Sequence, residues 1–175
     1  MSNSANTQRS ALVTGGATGL GLAISQRLAK EGYYVCIACR NSTIGNQVVR
    51  EIDGLFIQTD VAKPEQVERA VKAAADANGG VLHALVNNSG IVGSQATYAD
   101  YDIEEWKRII DVNLNGVFYG RKYGLAQMAS REEGGGYAIV NMSSTAGNRG
   151  EVLKIVHILC SFYLFVILHL RLLYN

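Results

Sequence analysis

The sequence predicts an α/β fold in which helices cover both faces of a doubly wound, parallel β-sheet. Short apolar runs alternate with segments of helical spacing from residue 10 onward, and this alternation is typical of parallel strands joined by helices. A glycine-rich turn follows the first apolar run, at the place where open α/β sheets bind ligands. The chain is 48% hydrophobic and 18% charged, which indicates a folded globular protein.

Five apolar runs are predicted to be the strands of this sheet. Each is short, and helical or turn-forming residues separate it from the next. The runs are SALVT (10–14), YYVCIAC (33–39), LFIQTD (55–60), VLHALVNNSG (81–90) and YAIVNM (137–142). We expect the strand order 3-2-1-4-5 of a Rossmann-type sheet.

Three helices are predicted between these strands. The first covers about residues 20–32 and ends at a glycine. Pro64 opens the second, and the third runs from about Ile103 to Ser130. The apolar face of the second helix consists of Val67, Ala70, Val71 and Ala74.

The net charge and the N-terminal residues argue against a nucleic-acid-binding protein and against a secreted one. The net charge is +1 and Lys and Arg form no cluster, which argues against nucleic acid as a partner. The first ten residues are polar and lack the apolar segment of a secretion signal. Three cysteines, an odd number, are typical of reduced thiols, so a cytoplasmic location is expected.

Cys36 and Cys39 form a C-x-x-C pattern inside the second predicted strand. Residues three apart on a strand point to opposite faces, so their thiols cannot converge on a metal ion. We interpret both as core residues and predict no metal site.

The turn T-G-G-A-T-G-L-G after the first strand carries the strongest functional signal. It contains Gly15, Gly19, Leu20 and Gly21, and a helix begins within it. Glycines let the backbone turn sharply and let a pyrophosphate approach closely, while the helix N-terminus offers N–H groups and a partial positive charge. The turn therefore predicts a nucleotide site.

This turn and four later motifs resemble the short-chain dehydrogenase/reductase family, whose glycine pattern is T-G-x-x-x-G-x-G. The later motifs are Asp60-Val61, Asn87-Asn88-Ser89-Gly90, Asn113 within DVNLNGVF, and IVNMSS at 139–144. The resemblance covers about residues 10–150. It implies hydride transfer between a nicotinamide cofactor and a small-molecule carbonyl or alcohol substrate.

The resemblance also implies which residues contact the cofactor. Asp60 would accept from the adenine amino group beside Val61, with a helix-start acid as the alternative reading. Asn87, Ser89 and Gly90 would line the cofactor, with simple turn chemistry as the alternative.

Arg40 bears on the choice of cofactor. NAD-binding sheets usually carry an acid at the end of the second strand, whereas this chain has Cys39, Arg40 and Asn41 there. A guanidinium suits the extra 2′-phosphate of NADP. We predict NADP, with NAD less favoured; a solubilising surface arginine is the alternative.

The catalytic residues that the resemblance implies are present only in part. Ser144 would polarise the substrate carbonyl. Asn113 would locally break its helix and hold a water of the proton relay; a solvent-facing Asn113 is the alternative. In the family a tyrosine donates or removes the proton, and a lysine four residues later lowers the pKa of that tyrosine and holds the nicotinamide ribose. Both are missing here: His157 and Ser161 stand at the expected places. None of the nine tyrosines has a lysine four residues on.

The composition changes at Glu151. All 19 glycines precede it, and neither alanine nor an acidic residue follows it. We predict a flexible N-terminus (1–9), a dinucleotide-binding domain (10–150) and an aberrant hydrophobic tail (151–175). A truncated product, a mis-spliced product and a gene model that runs into non-coding sequence are the alternatives for the tail. The sheet would then be incomplete and prone to self-association. The uncharged part of the tail, 155–170, is short for a membrane span.

Three functions stay open on the sequence alone. The first is an NADP-dependent oxidoreductase, of doubtful activity in this chain. The others are a non-catalytic nucleotide-binding protein and a membrane-tethered fragment.

Overall fold

A computed structural model of the protein describes residues 8–130 and 136–144. Within those ranges the strands are β1 (Ser10–Thr14), β2 (Tyr34–Cys39), β3 (Leu55–Gln58), β4 (Ala84–Asn87) and β5 (Ala138–Asn141). The helices are α1 (Gly19–Lys30), α2 (Ser42–Ile52), α3 (Pro64–Asp76), α4 (Ile103–Ile110) and α5 (Gly116–Ala129), with a π-helical segment at Asp111–Asn115 between the last two. The predictions for the first residues and for 151–175 lie outside the described residues, apart from Gln8 and Arg9.

The strands form one parallel sheet in the order β3-β2-β1-β4-β5, which confirms the predicted fold class and strand order. Strand β1 is central: Leu12 pairs with Cys36 on one side and with Leu85 on the other. Every residue of β1 is buried, as expected for a strand covered on both faces.

Two apolar clusters cover the two faces of the sheet. Leu12, Cys36 and Leu85 pack against α3 and α5, and the predicted apolar face of α3 is buried there as expected. Val13 and Ile37 pack on the opposite face, against α1 and α2. Cys39 also contacts this second cluster, so the two thiols of the C-x-x-C pattern lie on opposite faces, as the strand period of two requires.

Helix α2 is absent from the sequence prediction. Its residues, STIGNQVVREI, have weak helix propensity, and three local features make the helix. The Asn41 side chain caps it by accepting from the Ile44 N–H at 3.1 Å. Val48 and Val49 are buried against the sheet, and Gly45 leaves room for the Phe56 ring. Packing thus overrides propensity here.

The predicted helix over 103–130 is interrupted by the π-helical segment, at the asparagine where the resemblance implies a local break. Strand β4 is also shorter than predicted and covers Ala84–Asn87. Two residues before it, Val81 and His83, form hydrogen bonds with Ser10. The Ser10 hydroxyl donates to the Val81 carbonyl at 2.5 Å, and the Ser10 N–H donates to His83 Nδ1 at 3.1 Å. Burial lowers the pKa of His83, which fits a neutral ring that accepts this bond.

Within residues 8–130 and 136–144, no helix is long and apolar enough to cross a membrane. The hydrophobic tail that raised the membrane hypothesis lies outside these ranges.

Candidate functional site

A cavity of about 440 Å³ opens at the carboxyl ends of β1 to β4. This is the edge at which open α/β sheets bind ligands. Its lining includes most of the residues that the sequence predicts for the cofactor: Gly15, Leu20, Gly21, Arg40, Asp60, Val61, Ser89 and Gly90. These eight residues thus meet at one place although they come from four different loops, whereas Gly19 and Asn87 are not among the lining residues.

The glycine turn forms one wall of the cavity. Gly15 and Gly19 have φ of 64° and 53°, a region that favours glycine. A Cβ at Gly21 would collide with the Gly15 carbonyl and with Asn88 Nδ2. Leu20, between the glycines, is 70% exposed. Gly21 and the Gly15 carbonyl therefore approach each other closely within the turn. Leu20, the one large apolar side chain of the turn, is exposed at the cavity.

Helix α1 presents an uncapped N-terminus to the cavity. Its N-cap residue, Thr18, makes no side-chain cap hydrogen bond, and the first turn contains no acid. Thr18 itself lines the cavity. The first N–H groups of a helix have no intrahelical partner, so they and the helix dipole favour an anion at this position.

Thr14 and Asn88 hold the glycine turn against the loop after β4, a positioning role that the sequence did not predict for either residue. The Thr14 hydroxyl accepts from the N–H groups of Asn88 and Ser89, both at 3.0 Å. Asn88 Nδ2 donates to the carbonyls of Thr14 (2.9 Å) and Gly15 (3.3 Å). A polar residue at the end of a buried strand was the available signal, since a buried hydroxyl needs a partner.

Asn87 lies away from the cavity. Its side chain is 3% exposed, and Nδ2 donates to Asn141 Oδ1 at 2.9 Å. It therefore ties β4 to β5, and Asn88, its neighbour, lines the cavity in its place.

Asn113 lies in the π-helical segment and is 7% exposed, which excludes the solvent-facing reading. Its Oδ1 accepts from the Ile91 N–H and its Nδ2 donates to the Ile91 carbonyl, both at 2.9 Å. The side chain therefore fixes the loop of Gly90 and Ile91, which line the cavity. π-Helical segments are frequent at functional sites.

Ser144 follows β5 at the same carboxyl edge of the sheet. Backbone pairing reaches as far as Met142, whose N–H donates to the Asn87 carbonyl at 2.9 Å. Ser144 is half-buried and lies outside the lining of the cavity. Residues 131–135 and 145–175 lie outside the described ranges, so the segment that the resemblance assigns to the tyrosine and lysine does too.

The charged side chains of the cavity lie at the end away from the glycine turn. Arg40 is exposed, and among the described lining residues it is the one cation, with Asp60 the one acid. Asp60 Oδ1 accepts from the Ala62 N–H at 3.1 Å, whereas the N-cap of α3 is Lys63. Asp60 is thus a turn acid at the cavity and not the helix cap. Burial raises the pKa of the Cys39 thiol, so this lining residue adds no charge near pH 7.

These groups fit a dinucleotide. Gly21 leaves no room for a Cβ, the α1 N–H groups suit a pyrophosphate, and the guanidinium at the other end suits a further phosphate. Ligand pockets commonly have volumes of about 300–1,000 Å³, and this cavity lies in that range.

The sequence of this chain is similar to those of known proteins. The family described as short chain dehydrogenase matches residues 9–156. An NADP-dependent (R)-specific alcohol dehydrogenase of Lentilactobacillus kefiri is 36% identical over 145 residues, which are 81% of this chain and 56% of that protein. A 3-alpha-(or 20-beta)-hydroxysteroid dehydrogenase of Mycobacterium bovis is 40% identical over 144 residues, 81% of this chain and 54% of that protein.

Among solved structures, a substituted actinorhodin polyketide ketoreductase crystallised with NADPH superposes with a TM-score of 0.83 and 32% sequence identity. The match covers 92% of this chain and 62% of that one. The chain spans little more than half the length of the curated relatives named above. The family match covers most of the chain and agrees with the sheet order and the glycine turn; the protein belongs to the short-chain dehydrogenase/reductase family.

Proposed function

We propose that the cavity binds NADP(H) and that the protein's activity is oxidoreduction of a small carbonyl or alcohol substrate. The observation that carries the proposal is the glycine wall beside the uncapped N-terminus of α1, with Arg40 at the far end. An NADP-dependent alcohol dehydrogenase and a ketoreductase crystallised with NADPH among the relatives support it.

The proposal gives the chain's own residues the following roles. The N–H groups of Gly19, Leu20 and Gly21 bind the pyrophosphate. Asp60 and Val61 bind the adenine, and Arg40 binds the 2′-phosphate. Ser89 and Gly90 contact the ribose on the nicotinamide side.

Asn113 and Ser144 act on the substrate side of the site. Asn113 positions the Gly90–Ile91 loop through its two hydrogen bonds. Ser144 donates to the substrate carbonyl. The bound nicotinamide supplies or accepts the hydride.

A second candidate is a nucleotide-binding protein that performs no chemistry. The absence of any tyrosine with a lysine four residues later favours it. Both candidates share the cofactor site, and turnover distinguishes them. A cytoplasmic location and self-association stay predictions from the sequence.

Cofactor titration tests the proposal. NADPH is expected to bind more tightly than NADH, and Arg40→Asp is expected to reverse that order. Loss of one charge-assisted phosphate contact costs about 1.5–3 kcal/mol; the exposure of Arg40 favours the lower end, roughly tenfold in affinity. Fluorescence titration of both reduced nucleotides into the two proteins measures this.

Arg50→Asp is the matched control. Arg50 is exposed in the last turn of α2, at the end of the helix away from the cavity, and it belongs to no wall of the cavity. It should leave the preference unchanged. Equal affinities of NADPH and NADH for the unaltered protein would refute the assignment of Arg40.

A further inference from the structure

A second cavity, of about 400 Å³, adjoins the cofactor cavity. Its lining consists entirely of polar side chains: Arg40, Gln58, Asp60, Gln66 and Arg69. Arg40 and Asp60 line both cavities, so the second one continues from the charged end of the first. Arg69 enters it from α3.

The two glutamines hold the walls of this second cavity together. Gln58 Nε2 donates to the Arg40 carbonyl at 3.1 Å and joins the ends of β2 and β3. Gln66 Oε1 accepts from the Asp60 N–H at 2.8 Å and joins α3 to the same place. Gln66 and Arg69 are three residues apart on α3, so they share one side of the helix. The backbone that carries the two arginines is therefore fixed by hydrogen bonds.

The charge of this cavity is not balanced. Two guanidiniums face one carboxylate, and one oxygen of that carboxylate already accepts from the Ala62 N–H. Neither Arg40 nor Arg69 forms an ion pair with any residue of the described ranges. Arg40 and Asp60 alone would offer a phosphate no net positive charge. Arg69 changes the sum to +1, which attracts an anion.

We propose that Arg69 is a second determinant of cofactor specificity, which binds the 2′-phosphate of NADP from the α3 side while Arg40 binds it from β2. This inference rests on the proposed function. A phosphate monoester carries up to two negative charges and three acceptor oxygens, and two guanidinium forks satisfy these better than one. NADH carries a neutral hydroxyl at this position, so Arg69 should affect mainly the binding of NADPH.

The test replaces Arg69 by glutamine. Because Arg69 is exposed on a helix surface, Arg69→Gln is expected to fold with an unchanged melting temperature. Arg50→Gln serves as the control that removes the same charge elsewhere. Four probes are titrated: NADPH, NADH, adenosine 2′,5′-bisphosphate and adenosine 5′-monophosphate. The last two differ by the 2′-phosphate alone.

Arg69→Gln is expected to weaken NADPH and the bisphosphate about tenfold, and NADH and the monophosphate less than twofold. The salt dependence of NADPH binding should also decrease, since one cation fewer contacts the phosphate. Equal weakening of both members of a pair would overturn the proposal, because Arg69 would then act on the adenosine. No weakening of any probe would overturn it as well.

These outcomes differ from failure of the proposed function. If Arg40→Asp reverses the preference while Arg69→Gln leaves it intact, the cofactor site stands and the role of Arg69 is wrong. If the unaltered protein binds neither NADPH nor NADH, the proposed function itself is wrong.

Discussion

Purified as the 175-residue chain, the protein is expected to turn over carbonyl and alcohol substrates at no more than trace rates while it still binds NADPH. Ser144 and Asn113 can polarise a carbonyl and position a loop, but neither supplies a proton near pH 7 as a tuned tyrosine does. General acid catalysis contributes roughly 10²–10⁴-fold. The missing lysine also removes a contact to the nicotinamide ribose, which worsens the hydride geometry.

The measurement is a panel of ketones, aldehydes, sugars and secondary alcohols followed at the NADPH absorbance band. An NADPH titration on the same preparation shows that the cofactor site is intact. Robust turnover that is lost in His157→Ala would contradict the expectation and identify a substitute acid. Turnover that survives this change but is lost in Ser144→Ala would contradict it equally and place the proton donor elsewhere.

Gly21→Val is expected to weaken NADPH binding by roughly 100-fold and to lower the stability of the fold. The new Cβ would meet the Gly15 carbonyl and Asn88 Nδ2, and that nitrogen holds the turn by two hydrogen bonds. Overpacking of this kind costs about 1–3 kcal/mol. Displacing the turn from the pyrophosphate loses further charge-assisted bonds of about 1.5–3 kcal/mol each.

Gly136→Val is the control for this substitution. A Cβ at Gly136 meets no atom of residues 8–130 or 136–144 within 4 Å, so neither stability nor NADPH affinity should change. Urea denaturation reports the first and fluorescence titration the second. A Gly21→Val protein that binds NADPH like the unaltered chain would show that the glycine turn does not contact the cofactor.

The sheet and its strand order were predictable because buried parallel strands have short apolar sequences that lie between helices. Helix α2 was not, because its sequence has weak propensity and its stability comes from burial of Val48 and Val49. The break at Asp111–Asn115 came from the resemblance rather than from the pattern, since a π-helical turn leaves no periodic signal in so short a segment.

Residues of the site could be predicted where the local backbone conformation requires a particular residue type. Gly15 and Gly19 have positive φ. This conformation favours glycine, so the spacing of the glycines in the sequence indicates the turn. The asparagine pair after β4 was harder: Asn87 and Asn88 are neighbours, and on a strand neighbours point to opposite faces. The sequence does not show which of the two faces the cavity; the contact of Asn87 with Asn141, 54 residues away, decides it. Arg69 belongs to none of the sequence motifs, and its position in the lining of the second cavity is what identifies it as a candidate.

NADPH is expected to occupy the cavity at the carboxyl ends of β1 to β4. The most direct measurement is a crystal structure of the chain with NADPH. We expect the pyrophosphate at the N–H groups of Gly19–Gly21 and the 2′-phosphate within hydrogen-bond reach of Arg40. A dinucleotide bound at another place, or bound in this cavity with its nicotinamide at Arg40, would contradict the account.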